Sequence, residues 1–187
     1  ALIRPNVEVV TDRIARIRPE GVETADGMLR KIDAIIWGTG FTPTDYLQPM
    51  RIAGRGGQDL NEAWRHGAEA HLGITVSGFP NFFMLYGPNT NAQTSIIYML
   101  ECQARYIVKA LKTLRRRGAR FMDVRADVQR ASNAEQQAIL SKSVAAQANC
   151  NTYFKNAEGR ITTNWAGYAS EYRWKTRAVR AEDFEFA

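Results

Sequence analysis

The sequence predicts an α/β fold in which a sheet domain carries an attached β-hairpin. Three observations indicate this fold: an Asp-Gly turn between two short segments, two apolar runs that each end in glycine, and one long segment with helical periodicity. This order of elements is typical of a sheet covered by a helix. Both apolar runs are predicted to be strands buried on two faces, as in a parallel sheet.

The first forty residues are predicted to form β-structure. Residues 7–10 are a short strand candidate, and residues 13–18 alternate weakly between polar and apolar side chains. Segments 21–24 and 28–31 flank Ala25-Asp26-Gly27, whose Asp-Gly pair is a strong signal for a tight turn. We therefore expect a hairpin here.

The two apolar runs follow. The first covers residues 32–37 and ends at Gly38-Thr39-Gly40-Phe41, and the second covers residues 81–86 and ends at Gly87. Residues 42–80 between them contain several prolines and glycines and are predicted to be mostly irregular.

The clearest helix is predicted over residues 94–117, where apolar residues recur at intervals of three and four and Gly118 supplies a stop signal. Its ~24 residues would span about 36 Å. The remaining predicted elements are a strand at 121–125, a polar helix at 126–148, a hairpin at 152–163 and a short helix at 170–177.

The charge distribution limits the partners. The chain of 187 residues carries 25 basic and 19 acidic residues, a net charge of +6. Its densest basic cluster, Arg115 to Arg120, lies at the predicted end of the long helix and is either a solvated helix end or a contact with an anion or partner domain. No aromatic residues interleave with it, and no apolar run approaches ~20 residues, so neither nucleic acid nor a membrane is a predicted partner.

Cysteine and histidine patterns predict no metal site. Cys102 and Cys150 are far apart and favour a reducing compartment, so a cytoplasmic location is predicted. His66 and His71 are five residues apart without a pattern of nearby carboxylates, and both are predicted to be structural or solvent-facing.

Two strand-to-loop junctions, Gly38-Thr39-Gly40 and Gly87 to Asn91, are the candidate ligand sites. Ligands of open parallel sheets bind beyond the carboxyl ends of strands, and glycine lets the backbone approach a ligand closely. The first junction lacks the third glycine of a dinucleotide fingerprint, which leaves a cofactor-facing loop and an ordinary tight turn both open. Glu101 and Arg105, four residues apart, are predicted to form a surface ion pair, and no catalytic constellation emerges.

Several stretches together resemble the C-terminal part of flavin-dependent Baeyer–Villiger monooxygenases, particularly the 4-hydroxyacetophenone monooxygenase branch. They are Asp33 to Phe41, the Gly-Phe-Pro-Asn-Phe-Phe of residues 78–83 with its approach from Leu72, the Gly-Pro-Asn-Thr-Asn of residues 87–91, Thr152 to Asn156 with Gly159-Arg160, and Asn164-Trp165. Their order and spacing hold over nearly the whole chain.

The resemblance implies a fold and a reaction. The fold would be part of a three-layer, Rossmann-like FAD/NAD(P)-binding domain: residues 1–125 would be the C-terminal half of the FAD domain, and residues 126–187 a tail of helices and a hairpin. NADPH would reduce FAD, and the flavin would react with O2 to give a C4a-peroxyflavin, which would convert a small organic ketone to an ester or lactone. N- or S-oxygenation is the alternative reaction, and a stand-alone binding or interaction module is the alternative class.

The resemblance also assigns site residues. Those expected to contact the cofactors are Thr39, Gly40, Phe41, Gly87, Pro88, Asn89, Thr90, Asn91, Thr94 and Ser95. The first three would line the crossing between the FAD and NADP domains, and the others would lie under the flavin ring at a helix start. Tyr153 and Asn156 are expected to contact substrate or NADP.

The departures from the family predict a chain cut from a longer protein. The glycine motifs for FAD and NADPH are absent. The arginine that supports the peroxyflavin is absent as well, because in relatives it precedes the Gly-Thr-Gly-Phe strand. Arg4 is not equated with it. The catalytic residues are therefore unassigned. The chain also does not begin with Met. The expected partners are the missing N-terminal FAD and NADPH segments, or a second copy that covers the exposed apolar surface to form a homodimer.

Overall fold

A computed structural model describes residues 2–91, 95–147, 152 and 154–187. The chain divides into two compact units, residues 1–40 and residues 41–187. The predicted division after residue 125 stays a prediction about the domains of a larger protein. Within the second unit, paired strands at 122–124 and 184–186 join the two sides of that division.

The first unit contains a three-stranded antiparallel sheet in the order β1-β2-β3. Its strands are β1 (Ile14–Arg18), β2 (Gly21–Thr24) and β3 (Leu29–Lys31). The predicted hairpin is confirmed, because β2 and β3 pair around a turn in which Gly27 has a φ of 81°. The Asp26 carboxylate accepts hydrogen bonds from the Thr24 hydroxyl at 2.6 Å and the Met28 N–H at 3.0 Å, which closes the turn.

Two strand predictions in this unit are wrong. Residues 7–10 and 32–37 form no strand, and Ile36 and Trp37 are 96% and 64% exposed. A strand is stable only when its N–H and C=O groups pair with a neighbour, and no described residue pairs with the run at 32–37.

The second unit is built mainly from helices. The helices are α1 (Leu60–Ala63), α2 (Ile96–Arg116), α3 (Ala126–Leu140), α4 (Val144–Gln147) and α5 (Ala169–Lys175), and the strands are β4 (Met122–Val124) and β5 (Phe184–Phe186). The predicted helices at 94–117 and 170–177 are therefore confirmed as α2 and α5. The predicted helix at 126–148 is interrupted after Leu140, and its last residue lies outside the described residues.

Helix α2 is the central element of the second unit. The Ser95 hydroxyl accepts a hydrogen bond from the Tyr98 N–H at its start, and Gly118, with a φ of 61°, follows its end. Its buried residues are Met99, Cys102, Gln103, Tyr106 and Ala110. Their spacing of three and four places them on one face, which packs against the core.

The predicted second buried strand, residues 81–86, is also wrong. Asn81 and Tyr86 both have left-handed backbone conformations, with φ of 58° and 57°, so the segment is not extended at either end. Its backbone N–H groups donate to different segments of the chain: Asn81 N–H donates to Met122 O, and Met84 N–H donates to Ile74 O. The strands β4 and β5 pair antiparallel, so no strands of the described residues form a parallel sheet.

The predicted hairpin at 152–163 is reduced to a turn. Lys155 and Ile161 form one antiparallel bridge, and no strand extends from it within the described residues. The Asn156 side chain closes the turn by accepting hydrogen bonds from the Glu158 and Arg160 N–H groups.

The second unit has two hydrophobic clusters. The larger contains Leu72, Ile74, Met99, Cys102, Tyr106, Ala110, Met122, Val124, Trp165, Tyr172 and Phe184. The smaller contains Leu60, Trp64, Ala68, Ala70, Val76, Phe79 and Met84. Cys102 is a free thiol within the first cluster, and Cys150 lies outside the described residues. Among the described helices, none is both long and apolar enough to cross a bilayer.

Candidate functional site

The loop of residues 86–91 is a strained segment beside a cavity. Tyr86 and Asn89 both adopt left-handed conformations, with φ of 57° and 55°, although neither is glycine. Such conformations cost of order 1–3 kcal/mol each and persist where the surrounding structure over-determines them, as at ligand sites. The loop is therefore held in place by its surroundings.

One side of this loop is joined to residues 161–165. The Asn89 side-chain amide donates to the carbonyls of Ile161 and Asn164, both at 2.9 Å, and its N–H donates to Thr162 O at 2.7 Å. The Asn91 N–H donates to Thr163 O at 2.9 Å. These bonds join groups more than 70 residues apart in the sequence and make the two segments one wall.

The other side of the loop ends in a buried chain of hydrogen bonds. The Tyr86 N–H donates to Gln103 Oε1 at 2.9 Å, the Gln103 amide donates to the Tyr172 hydroxyl at 3.1 Å, and that hydroxyl donates to Leu72 O at 2.6 Å. Gln103 and Tyr172 are fully buried, and burial raises the pKa of the Tyr172 hydroxyl. Helices α2 and α5 therefore support the start of the loop.

Replacing Tyr172 by phenylalanine is expected to reduce the free energy of unfolding by about 2 kcal/mol, because the Leu72 carbonyl and the Gln103 amide lose a buried partner. Urea denaturation measures the change. The matched control is Tyr168→Phe, whose side chain is 83% exposed and which we expect to change stability by less than about 0.5 kcal/mol. Equal effects of the two variants would contradict the role assigned to the buried chain.

A cavity of about 340 Å³ lies in front of the loop. Its walls are formed by Thr42, Pro43, Asp45, Tyr46, Tyr86, Gly87, Thr90, Asn91, Phe154 and Thr163. The Tyr46 hydroxyl donates to Thr162 O at 3.1 Å, and its ring meets Trp64 edge-on at 6.2 Å between centroids. Tyr46 thereby joins residues 42–46 to the same wall, and burial raises its pKa, so it remains a neutral donor.

The cavity combines aromatic walls with backbone donors. Tyr86 and Phe154 supply rings, and the N–H groups of Gly87 and Thr90 donate to no acceptor among the described residues. Ligand pockets start at about 300 Å³, so this one holds a single ring system rather than a whole dinucleotide. The residues therefore fit the edge of a planar heterocycle that accepts hydrogen bonds, such as the ring of a flavin.

The structure separates the predicted site residues into groups. Gly87, Thr90 and Asn91 lie in the cavity wall. Pro88 and Asn89 are buried behind it. Ser95 caps α2, and Asn156 closes a turn and donates to His66 O. Their cofactor and substrate contacts stay predictions.

The remaining predicted positions are not brought to this cavity. Thr39 and Gly40 are exposed residues of the first unit, and Phe41 is 92% exposed and is not among the residues that line the cavity. Thr94 and Tyr153 lie outside the described residues.

Sequence reasoning missed the residues that complete the cavity, chiefly Asp45, Tyr46 and Thr163. Tyr46 follows the turn signal Pro43-Thr44-Asp45, which is included in the irregular segment predicted for residues 42–80 and is not considered separately there. The only available signal for Thr163 was its neighbour Asn164 in the motif resemblance.

The other candidate groups do not line this cavity. Arg105 and Glu101 form the predicted ion pair at 2.9 Å, with both side chains 56% exposed. His66 is exposed beside Glu158, and His71 is buried. No group of three or more metal-ligating side chains occurs among the described residues.

The fold is similar to that of several solved structures. The structure of this chain is similar to OTEMO in complex with FAD and NADP, with a TM-score of 0.84 and 28% identity over 98% of this chain and 35% of the other. It is also similar to the closed structure of cyclohexanone monooxygenase, with a TM-score of 0.82 and 26% identity over 98% of this chain and 36% of the other. The chain therefore shares the fold of these proteins over the third of their length that it covers.

Curated proteins with similar sequences are named Baeyer–Villiger monooxygenases. The chain is 38% identical to a Baeyer–Villiger monooxygenase of Pseudomonas aeruginosa over 98% of its length, and 37% identical to one of Streptomyces coelicolor over 99%. It covers 35% and 36% of those proteins. No family model matches it. The chain is a relative of the Baeyer–Villiger monooxygenases and corresponds to about one third of their length.

Proposed function

We propose that this chain is the C-terminal part of an FAD- and NADPH-dependent monooxygenase that inserts one oxygen atom of O2 into a small ketone to give an ester or lactone. The observation that carries the proposal is its 36–38% identity, over nearly the whole chain, to relatives named as Baeyer–Villiger or FAD-binding monooxygenases. The cavity at the loop of residues 86–91 supports it, because its donors and rings fit one edge of a flavin.

Bound FAD would supply the reduction and oxygen chemistry, which no side chain of this kind performs alone. The residues of this chain would orient the ring. The N–H groups of Gly87 and Thr90 would donate to an edge that gains negative charge on reduction, and Tyr86 and Phe154 would exclude water from its face. The bonds of Asn89 to residues 161–164 would keep those donors fixed.

The exposed apolar surface supports a larger parent protein. On α2, the side chains of Ile97, Val108 and Leu111 are 68%, 50% and 49% exposed and recur on one face. In the first unit, Ile36 and Trp37 are also exposed. The FAD- and NADPH-binding segments of the parent would cover these faces, and the run at 32–37 would gain its strand partners there.

A chimera tests the proposed reaction. The corresponding third of the Pseudomonas aeruginosa relative is replaced by this chain, and NADPH oxidation is measured with cyclohexanone while products are identified by mass spectrometry. We expect ketone-dependent NADPH oxidation coupled to lactone formation. Oxidation of a sulfide or amine without any lactone from a panel of ketones would favour N- or S-oxygenation and overturn the proposal.

The isolated chain is expected to bind FAD weakly and to show no turnover, because it lacks the glycine motif that holds the pyrophosphate. Equilibrium dialysis against FAD, followed by absorbance of the protein compartment, measures binding. Stoichiometric flavin in that compartment would contradict the assignment to a partial FAD site and favour a stand-alone module. Ultracentrifugation of the same sample shows whether the apolar faces instead form a homodimer.

A further inference from the structure

A second cavity, of about 400 Å³, lies away from the loop of residues 86–91 and shares no lining residue with the first. It is enclosed by α2, α3, the end of α5 and the segment that leads to β5. Two of its polar lining residues, His71 and Tyr106, are 7% and 1% exposed. A ligand that enters far enough to reach them is largely removed from water.

The polar groups of these two residues are unused. His71 Nδ1 is buried and has no hydrogen-bond partner. The Tyr106 hydroxyl donates to no acceptor among the described residues, and burial and nearby Asp183 raise its pKa, so it stays protonated. Because a buried polar group without a partner is unfavourable, His71 Nδ1 favours a ligand that supplies one, and the Tyr106 hydroxyl can donate to an oxygen of the same ligand.

The rim of the cavity is charged and partly aromatic. Three lining residues are cations, Lys175, Arg177 and Arg180, and two are carboxylates, Glu135 and Asp183. Outside the lining, Glu171 lies 3.9 Å from Lys175 and Glu182 lies 3.0 Å from Arg180, so both of these cations are paired. Lys175 pairs with Glu135 at 3.0 Å, and Arg180 lies 3.8 Å from Asp183.

Arg177 is the cation without a carboxylate partner among the described residues. Its guanidinium lies 4.8 Å from the centroid of the Trp174 ring, which is 60% exposed. A stacked guanidinium keeps its in-plane N–H groups available for a carboxylate. The apolar residues of the lining include Leu72, Val128 and Ala178.

We propose that this cavity binds a small monoanion with an apolar body, whose carboxylate meets Arg177 and whose hydroxyl or carbonyl oxygen reaches Tyr106 and His71. The cavity volume suits a molecule with one ring. The site is independent of the proposed monooxygenase reaction and can be tested on this chain alone.

The affinities of three probes, measured by calorimetric titration of the 187-residue chain, distinguish the contribution of the carboxylate from that of the hydroxyl. The probes are 3-(4-hydroxyphenyl)propanoate, 3-phenylpropanoate, which lacks the hydroxyl, and 4-ethylphenol, which lacks the carboxylate. We expect the first to bind at least 5-fold more tightly than either of the others, because one hydrogen bond is worth about 1 kcal/mol. Equal affinities, or no binding of any probe at millimolar concentration, would overturn the proposal.

Two variants locate the binding. Tyr106→Phe is expected to weaken the hydroxylated acid about 5-fold and to leave 3-phenylpropanoate unchanged. Arg177→Gln is expected to weaken both acids about 10-fold and to spare 4-ethylphenol. The matched controls are Tyr168→Phe and Arg105→Gln, which lie outside the cavity. If the controls weaken binding as much as the cavity variants, the acids bind elsewhere and the proposal is wrong; if a variant does not fold, the probe comparison on the unaltered chain decides.

Discussion

Replacing Gly73 by alanine is expected to lower the free energy of unfolding by about 3 kcal/mol. Gly73 has a φ of 66°, which costs a residue with a Cβ about 1 kcal/mol. An added Cβ would also overlap the Thr90 methyl group and lie 2.6 Å from Pro88 O. Overpacking of this kind costs a further 1–3 kcal/mol, since both neighbours belong to the buried loop of residues 86–91.

The matched control is Gly118→Ala. Gly118 has nearly the same φ, 61°, but nothing lies within 4 Å of the position its Cβ would take. We expect this variant to lose only about 1 kcal/mol, so the difference between the two isolates the contact with the loop. Urea denaturation of both variants supplies the comparison, and equal losses would show that Gly73 does not support the loop sterically.

Acidification is expected to destabilise the protein through His71. Burial, together with repulsion from Lys175 and Arg180, lowers the pKa of its imidazole from 6.5 to about 4. Above pH 6.5 the ring is neutral in both the folded and the unfolded chain. Between pH 6.5 and about 4 the imidazole is protonated in the unfolded chain but neutral in the folded chain. The free energy of unfolding therefore falls as the pH decreases, by at most about 3 kcal/mol between these two pH values.

Denaturant unfolding at pH 7.5 and pH 4.5 measures this effect in His71→Gln and in the unaltered chain. We expect the variant to lose less stability between the two pH values, because glutamine does not titrate. His66→Gln is the control, since the His66 side chain is 65% exposed. Asp123, which is buried, and Asp183, which is half-buried, have raised pKa values that act in the opposite sense but are common to all three proteins. A variant His71→Gln with an unchanged pH dependence would contradict the assignment.

Local signals in the sequence predicted local structure correctly. The turn at Ala25-Asp26-Gly27 and the helix α2 were both expected, because their hydrogen bonds and caps join residues four or fewer positions apart. The same holds for the ion pair of Glu101 and Arg105 on the helix surface.

The two apolar runs show where such signals fail. Hydrophobicity indicated that residues 32–37 and 81–86 prefer burial, but a strand also requires a partner for its backbone groups. The first run finds none among the described residues. The second is bent by the left-handed residues Asn81 and Tyr86, whose surroundings lie far away in the sequence.

The first candidate site was only half predictable for a related reason. Gly87 to Asn91 could be singled out from their glycine and asparagine content and from the family resemblance. Tyr46 reaches the same wall through a hydrogen bond across 116 residues, and no spacing in the sequence encodes that contact.

The sequence by itself therefore determined the resemblance to the Baeyer–Villiger monooxygenases, the hairpin, the long helix and one segment of the candidate site, since these depend on neighbouring residues and recognisable motifs. Only the tertiary structure decided which polar groups remain without partners. Among the described residues, Gly87 and Thr90 line one cavity and their N–H groups donate to no acceptor, and His71, which lines the other, has a buried Nδ1 without a partner. The reason is physical: satisfaction of a buried polar group depends on every segment that folds around it, and those segments come from the whole chain.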